Sequence, residues 1–257
     1  MSGKLPVGEK PEVRKPPAIE LFSRLGVGVK EGKNVGLYGL PMIGKSVLAA
    51  ILVREFVGEN GTAIVFGTED HYSDEDYRGL IASFLPKSHY INYCRNVEEV
   101  YRYLNIVEAK QFEGRVALIL DSFSALANVE ASELSAKGLK EVRLKVSRVT
   151  PMVNEVATRF KRVLTEKHAL GITVMHASSM AGAGKFRGLV DWKPVMSARV
   201  AHSLDYLIYM HAPEGTALNA PRALTMVASR LTPLDEGRTI KFRFKEKTVE
   251  ILEGEER

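Results

Sequence analysis

Several things are scarce in this chain of 257 residues. It has one cysteine, Cys94. That excludes an intrachain disulfide and a cysteine-rich zinc site. Its longest uninterrupted apolar runs are residues 47–53 and 116–120. A membrane-spanning helix needs about 20 such residues, so none is expected. The N-terminus carries charges and prolines and lacks the apolar stretch of a secretory signal. A soluble, cytoplasmic protein is the expectation. Gln111 is the sole glutamine. Proteins of hot environments shed labile amides, which inclines the reading toward a thermophile.

Hydrophobic residues make up 45% and charged residues 26%, the balance of a chain that buries a core. The length allows one or two domains. The net charge is +5, and its distribution says more than its size. Residues 137–199 hold thirteen Lys or Arg against four acids, an excess of nine, so the rest of the chain is acidic by four. A basic region on an acidic body suits a polyanion such as nucleic acid. The alternative is a solvated helix face.

Residues 1–18, with Pro6, Pro11, Pro16 and Pro17, read as a flexible proline-rich tail. Residues 19–257 read as one domain, leaving no room for a second DNA-reading domain. Strands are expected at 34–38, 62–67, 116–120 and 172–175, and helices at 45–56, 75–84 and 97–110. Thr150-Pro151 predicts the start of a helix reaching 167, with Gly171 as its stop. Residues 177–198, with Gly182, Gly184 and Gly188, read as a loop. Strands at 204–210, 223–228, 239–244 and 249–252 follow, the last two forming a hairpin around 245–247. This pattern implies an α/β fold: a twisted, mostly parallel sheet flanked by helices and ending in antiparallel strands.

The chemistry concentrates in three places. Gly39-Leu40-Pro41-Met42-Ile43-Gly44-Lys45-Ser46 fits GxxxxGK[ST] between an apolar strand and a helix. Gly39 and Gly44 permit dihedrals that aim N–H groups at phosphate oxygens. Lys45 can reach the β and γ phosphates, and the Ser46 hydroxyl can ligate Mg²⁺. The helix N-terminus favours the same anion. Asp121 ends a buried strand, where it can hold Mg²⁺ or cap a following helix. Glu69 lies just past the strand at 62–67 and could orient a water for attack on the γ-phosphate, with Asp70 as its competitor.

In this order the three elements resemble the RecA/RadA/KaiC superfamily of ATPases. Residues 39–46 are similar to its Walker A motif, 118–122 to its Walker B motif, and Thr68-Glu69 to its catalytic glutamate. The lead-in at 25–32 resembles the LGGGIPxG segment of RadA and KaiC proteins. The likeness covers most of residues 19–252 and is strongest to the short archaeal RadA paralogs, which have the ATPase core alone. It implies a RecA-like fold, Mg-dependent ATP hydrolysis, a homo-oligomer with nucleotide near the subunit interface, and loops lining a DNA path at 123–150 and 177–198. Those loops overlap the basic segment. Lys140, Arg143, Lys185, Phe186, Arg187, Lys193 and Arg199 are accordingly the candidates for single-stranded DNA. Phe186 and Trp192 could stack on bases or form a small satellite core. His176 stands where family recombinases place a γ-phosphate-sensing Asn-Gln; it could bond phosphate or be a satisfied histidine. Arg230, in a faint trace of the family's KSPxxP, is the candidate for reaching a neighbour's γ-phosphate. Arg78 and Tyr72 are the candidates for adenine. The implied function is an ATPase assisting or regulating recombinational DNA repair, with recombinases or other repair proteins as partners. The alternative is a KaiC-like regulatory ATPase acting through protein partners without DNA.

Overall fold

Three strands, β1 (Asn34–Gly39), β2 (Thr62–Gly67) and β4 (Val116–Asp121), are buried at all six of their positions. Strands covered on both faces have no polar side to show, which is why these read as near-continuous apolar runs. The computed structural model describes residues 15–126, 142–179, 185–213, 215, 217, 219–232 and 235–252, with side chains at 142–149 and 198 excepted. Three further strands, β3 (Ser88–Tyr93), β5 (Leu170–Ser179) and β7 (Tyr206–His211), run parallel to these. Antiparallel β8 (Arg222–Ser229), β9 (Thr239–Lys245) and β10 (Thr248–Ile251) extend one side. The order across the sheet is β10-β9-β8-β7-β1-β5-β4-β2-β3, and short β6 (Trp192–Pro194) pairs with the tip of β5.

Alternation sorts the side chains onto two faces. Along β4, Ala117 and Ile119 join the core under α1 (Pro17–Arg24), α2 (Lys45–Val57) and α3 (Glu75–Ala82). Val116, Leu118 and Leu120 join the core under α4 (Val97–Ala109) and α5 (Val142–Glu166). Burying each such Leu, Ile or Val stabilises the fold by about 1.5–3 kcal/mol. No helix among the described residues is long and apolar enough to cross a membrane.

The structure departs from the sequence reading in four places. Helix α1 begins at Pro17, inside the expected tail. Its N-terminus is capped from α2, with the Glu55 carboxylate accepting N–H bonds from Ala18 at 2.7 Å and Ile19 at 3.1 Å. Pro151 lies inside α5 rather than at its start. The missing ladder bond costs about 3 kcal/mol, and burial of Val153, Val156, Phe160, Val163 and Leu164 offsets it. That helix stops at His168, not Gly171. His168 has φ 50°, and the Ala169 N–H reaches the Leu164 carbonyl at 2.8 Å, a left-handed cap. Gly171 instead sits inside β5, where a Cβ would meet the Leu164 side chain at 2.2 Å. Finally, edge strand β3, short strand β6 and helix α6 (Ala198–Ser203) were not anticipated; β6 falls within the expected loop, and α6 begins at its last residue.

Candidate functional site

The register of the parallel strands brings the singled-out residues to one end. Gly39 on β1 pairs with His176 on β5, and Gly67 on β2 pairs with Asp121 on β4. Because β1, β5, β4 and β2 are consecutive in the sheet, the 39–46 loop, His176, Asp121 and Glu69 border one site at the strands' carboxyl ends.

The loop from Gly39 to Ser46 joins β1 to α2. Gly44 has φ 95° and caps α2, so glycine's left-handed freedom is used there. Gly39 has no positive φ; its need is space, since a Cβ would meet the Met210 carbonyl at 2.3 Å. The second left-handed position is held by Met42, φ 62°, whose side chain is 93% exposed. Holding a side-chain-bearing residue there costs roughly 1–2 kcal/mol. Leu40 and Pro41 are exposed and Ile43 is buried.

Two features from the antiparallel strands brace this loop, and the sequence reading missed both. Arg222, heading β8, is buried, and its Nε donates to the Ile43 carbonyl at 3.1 Å. Its other nitrogens donate to the Ala217 and Ala220 carbonyls. The Phe244 ring of β9 lies where a Gly44 Cβ would be, at 2.7 Å. A charged residue opening an otherwise apolar strand was the available signal for Arg222.

Lys45 is buried, and its Nζ donates to the Leu40 carbonyl at 2.7 Å. Burial pushes its pKa down, while the carboxylates of Asp121 and Glu69 push it up. Asp121 is 1% exposed. Burial raises its carboxyl pKa, opposed by hydrogen bonding from Ser46 and Tyr72. The Tyr72 hydroxyl donates to Asp121 Oδ2 at 2.6 Å.

Glu69 faces the same site. Its Oε1 lies 2.8 Å from His176 Nε2, and its Oε2 lies 3.4 Å from His71 Nδ1. Burial pushes the carboxyl up, but hydrogen bonds from His176 and Ser122 and the two imidazoles outweigh it and hold it at about 2. The backbone N–H of His176 donates to Ser124 Oγ at 2.9 Å. Asp70, the competitor, opens a short 3-10 turn and accepts from the Tyr93 hydroxyl at 3.3 Å.

The remaining candidates divide. Tyr72 is 1% exposed and turned onto Asp121, so it has no face for an adenine. Arg78 donates to the Tyr72 and Ser73 carbonyls at 2.7 and 2.9 Å, clamping the turn after Glu69. Lys185, Arg187, Lys193 and Arg199 are exposed. Phe186 and Trp192 are half-buried and pack against the main α4–α5 core rather than forming a separate small one. Lys140 and the side chain of Arg143 lie outside the described residues. Arg230 follows β8 at the end opposite the 39–46 loop, and its Nη2 meets His202 Nδ1 at 2.9 Å. It does not reach its own chain's loop.

The basic segment is less free than its charge count suggests. Arg159 and Arg162 both bind Glu108, at 2.7 and 2.9 Å. Lys161 binds Asp205, and Arg187 lies 3.6 Å from Glu236.

No family model matches the chain, and no curated protein matches it. Among solved structures it is similar to a crystal structure of the RadB recombinase, with a TM-score of 0.58 at 16% identity, covering 91% of this chain and 96% of that one. A likeness at that identity is one of fold, and the chain accordingly has a RecA-like α/β fold.

Proposed function

We propose that the chain is an ATPase that binds ATP on the 39–46 loop and assists or regulates recombinational DNA repair. One observation carries this reading: Lys45, from the glycine-hinged loop itself, meets the fields of Asp121 at the end of β4 and Glu69 just past β2. Lys45 exchanges its bond to the Leu40 carbonyl for phosphate oxygens. The backbone N–H groups of the loop hold the remaining phosphate charge. Glu69, ionised at neutral pH, orients a water in line with the γ-phosphate. His176 holds that carboxylate in place and borders the γ-phosphate. Arg230 faces outward, toward a neighbouring subunit's nucleotide in a homo-oligomer.

The Ser46 hydroxyl and Asp121 carboxylate are oxygen donors of the kind Mg²⁺ takes, leaving its other positions to nucleotide and water. When bound, that ion neutralises charge at the phosphates. Lys185, Arg187, Lys193 and Arg199 are exposed for single-stranded DNA. A KaiC-like ATPase working through protein partners is the second reading. The internal pairing of Arg159, Lys161 and Arg162 favours it.

ATPase rates with and without single-stranded DNA, at two salt concentrations, test the proposal. The expected result is DNA-dependent hydrolysis that weakens with salt, DNA affinity falling with a log–log slope of about −0.7 per phosphate contact. Hydrolysis indifferent to DNA selects the second reading. A wild-type protein that binds ATP no better than Lys45→Ala overturns both.

A further inference from the structure

The turn after β2 carries a feature that the proposed ATPase chemistry does not by itself require. Residues 70–77 run Asp-His-Tyr-Ser-Asp-Glu-Asp-Tyr, two tyrosines and a histidine among acids. In the structure His71, Tyr72 and Tyr77 form an aromatic cluster, with ring centroids 4.1–5.1 Å apart. Tyr72 points inward. Its ring lies over Gly67, where a Cβ would meet it at 2.2 Å, and its hydroxyl reaches Asp121 Oδ2 at 2.6 Å. Arg78 fixes the same turn from outside through the Tyr72 and Ser73 carbonyls. The Tyr77 ring stands edge-on to Tyr72, 5.1 Å between centroids, and its phenol is close enough to Ser46 and Tyr72 for both to pull its pKa down against burial. The Tyr72 hydroxyl thus ties Asp121, one of the two residues assigned to the metal, to this rigid turn, with Tyr77 beside Ser46, the other.

We infer that Tyr72 is a positioning residue for the metal site: its hydroxyl fixes the rotamer of Asp121 so that one carboxylate oxygen is committed to the fold and the other faces Ser46 and the nucleotide. This rests on the reading of Asp121 as the metal-side carboxylate. The physical case is one of geometry. A buried carboxylate with two free oxygens can rotate or draw in water, whereas a short bond to an immobile phenol removes that freedom before the ion arrives. Partners of metal-ligating groups typically act in this way, and their loss costs about 10–100-fold in metal affinity. Phenylalanine in place of Tyr72 keeps the ring over Gly67 and deletes only the hydroxyl.

The test measures affinity for a fluorescent ATP analogue in Mg²⁺ and again in EDTA, for wild type, Tyr72→Phe and Tyr77→Phe. The readout is the ratio of the two affinities, which needs no turnover. Tyr72→Phe is expected to keep the EDTA affinity and lose about 10-fold of the Mg²⁺-dependent gain. Tyr77→Phe, which leaves the bond to Asp121 intact, is expected to lose less. A Tyr72→Phe protein with the wild-type ratio overturns the inference. So does an equal loss in Mg²⁺ and EDTA, which marks Tyr72 as packing alone. If wild type gains nothing from Mg²⁺, the metal-side reading of Asp121 fails and takes the inference with it. If only the Tyr72→Phe ratio is unchanged, that reading stands and the inference alone falls.

Discussion

Two carboxylates are buried at opposite ends of the same sheet, and their surroundings differ in kind. Asp205, just before β7, accepts the Asn34 N–H at 2.8 Å and faces two ammonium groups, Lys161 at 2.5 Å and Lys33 at 3.8 Å. Its charge is cancelled within the fold. Asp121, at the end of β4, is buried more deeply, yet hydroxyls surround it. Among the described residues no lysine or arginine lies within ion-pair distance of it, and the nearby Lys45 turns its ammonium to a carbonyl. Both groups are hydrogen-bonded, but only one is discharged. A carboxylate that holds structure brings its own cation; one set among neutral donors, as the proposed metal ligand is, leaves room for a cation from outside.

The largest expected effect tests the chemical end. Glu69→Gln should lower ATP hydrolysis at least about 100-fold while leaving ATP affinity in place, as measured by turnover and by direct titration. Loss of binding instead of turnover would make Glu69 a structural acid like Asp205.

The next tests the comparison directly. Asp205→Asn leaves Lys161 and Lys33 facing a neutral group, so the fold should lose about 3 kcal/mol in urea unfolding, with nucleotide affinity of the folded protein unchanged. Asp121→Asn removes a buried charge that no described cation meets at ion-pair distance, Lys45 acting on it only from further off. The ligand-free fold should be at least as stable as wild type, while Mg²⁺-dependent nucleotide affinity is lost. Equal destabilisation by the two substitutions would erase the distinction.

The smallest is an acid-pH effect. The folded pKa of Glu69, about 2, lies below its ordinary 4.5. Ionised Glu69 therefore stabilises the fold above about pH 4.5, and that contribution disappears as pH falls through 2. The stability of Glu69→Gln should lie below wild type at pH 7 and converge with it toward pH 2, followed by unfolding midpoints. Curves that stay parallel would show that the His176 bond adds no stability.

What was legible in the sequence was local. The 39–46 loop reads directly because its parts are contiguous, and Asp121 and Glu69 read from their places at the ends of apolar strands. Residues whose role depends on a distant partner did not. Tyr72 looked like a ligand contact because nothing in its neighbourhood names Asp121, though a tyrosine set among acids hinted at an inward turn. The charge on α5 looked free because Glu108 and Asp205, which bind Arg159, Lys161 and Arg162, lie about fifty residues away in sequence. Strand β3 was missed because an edge strand reading Ser-His-Tyr-Ile-Asn-Tyr has polar residues where a central one would not. Pro151 misled because a local rule for helix starts was overridden by burial on the sheet.

The bracing of the 39–46 loop by Arg222 and Phe244 has an entropic consequence. Fixing the backbone of one residue costs about 1–2 kcal/mol, and a loop of eight left to order itself around a ligand would consume much of the binding energy. Here the outer antiparallel strands, far along the chain from the loop, impose its shape during folding. On the proposed reading, nucleotide then meets a cradle already set, and the antiparallel wing of the sheet acts as a splint whose stiffness helps to set the affinity.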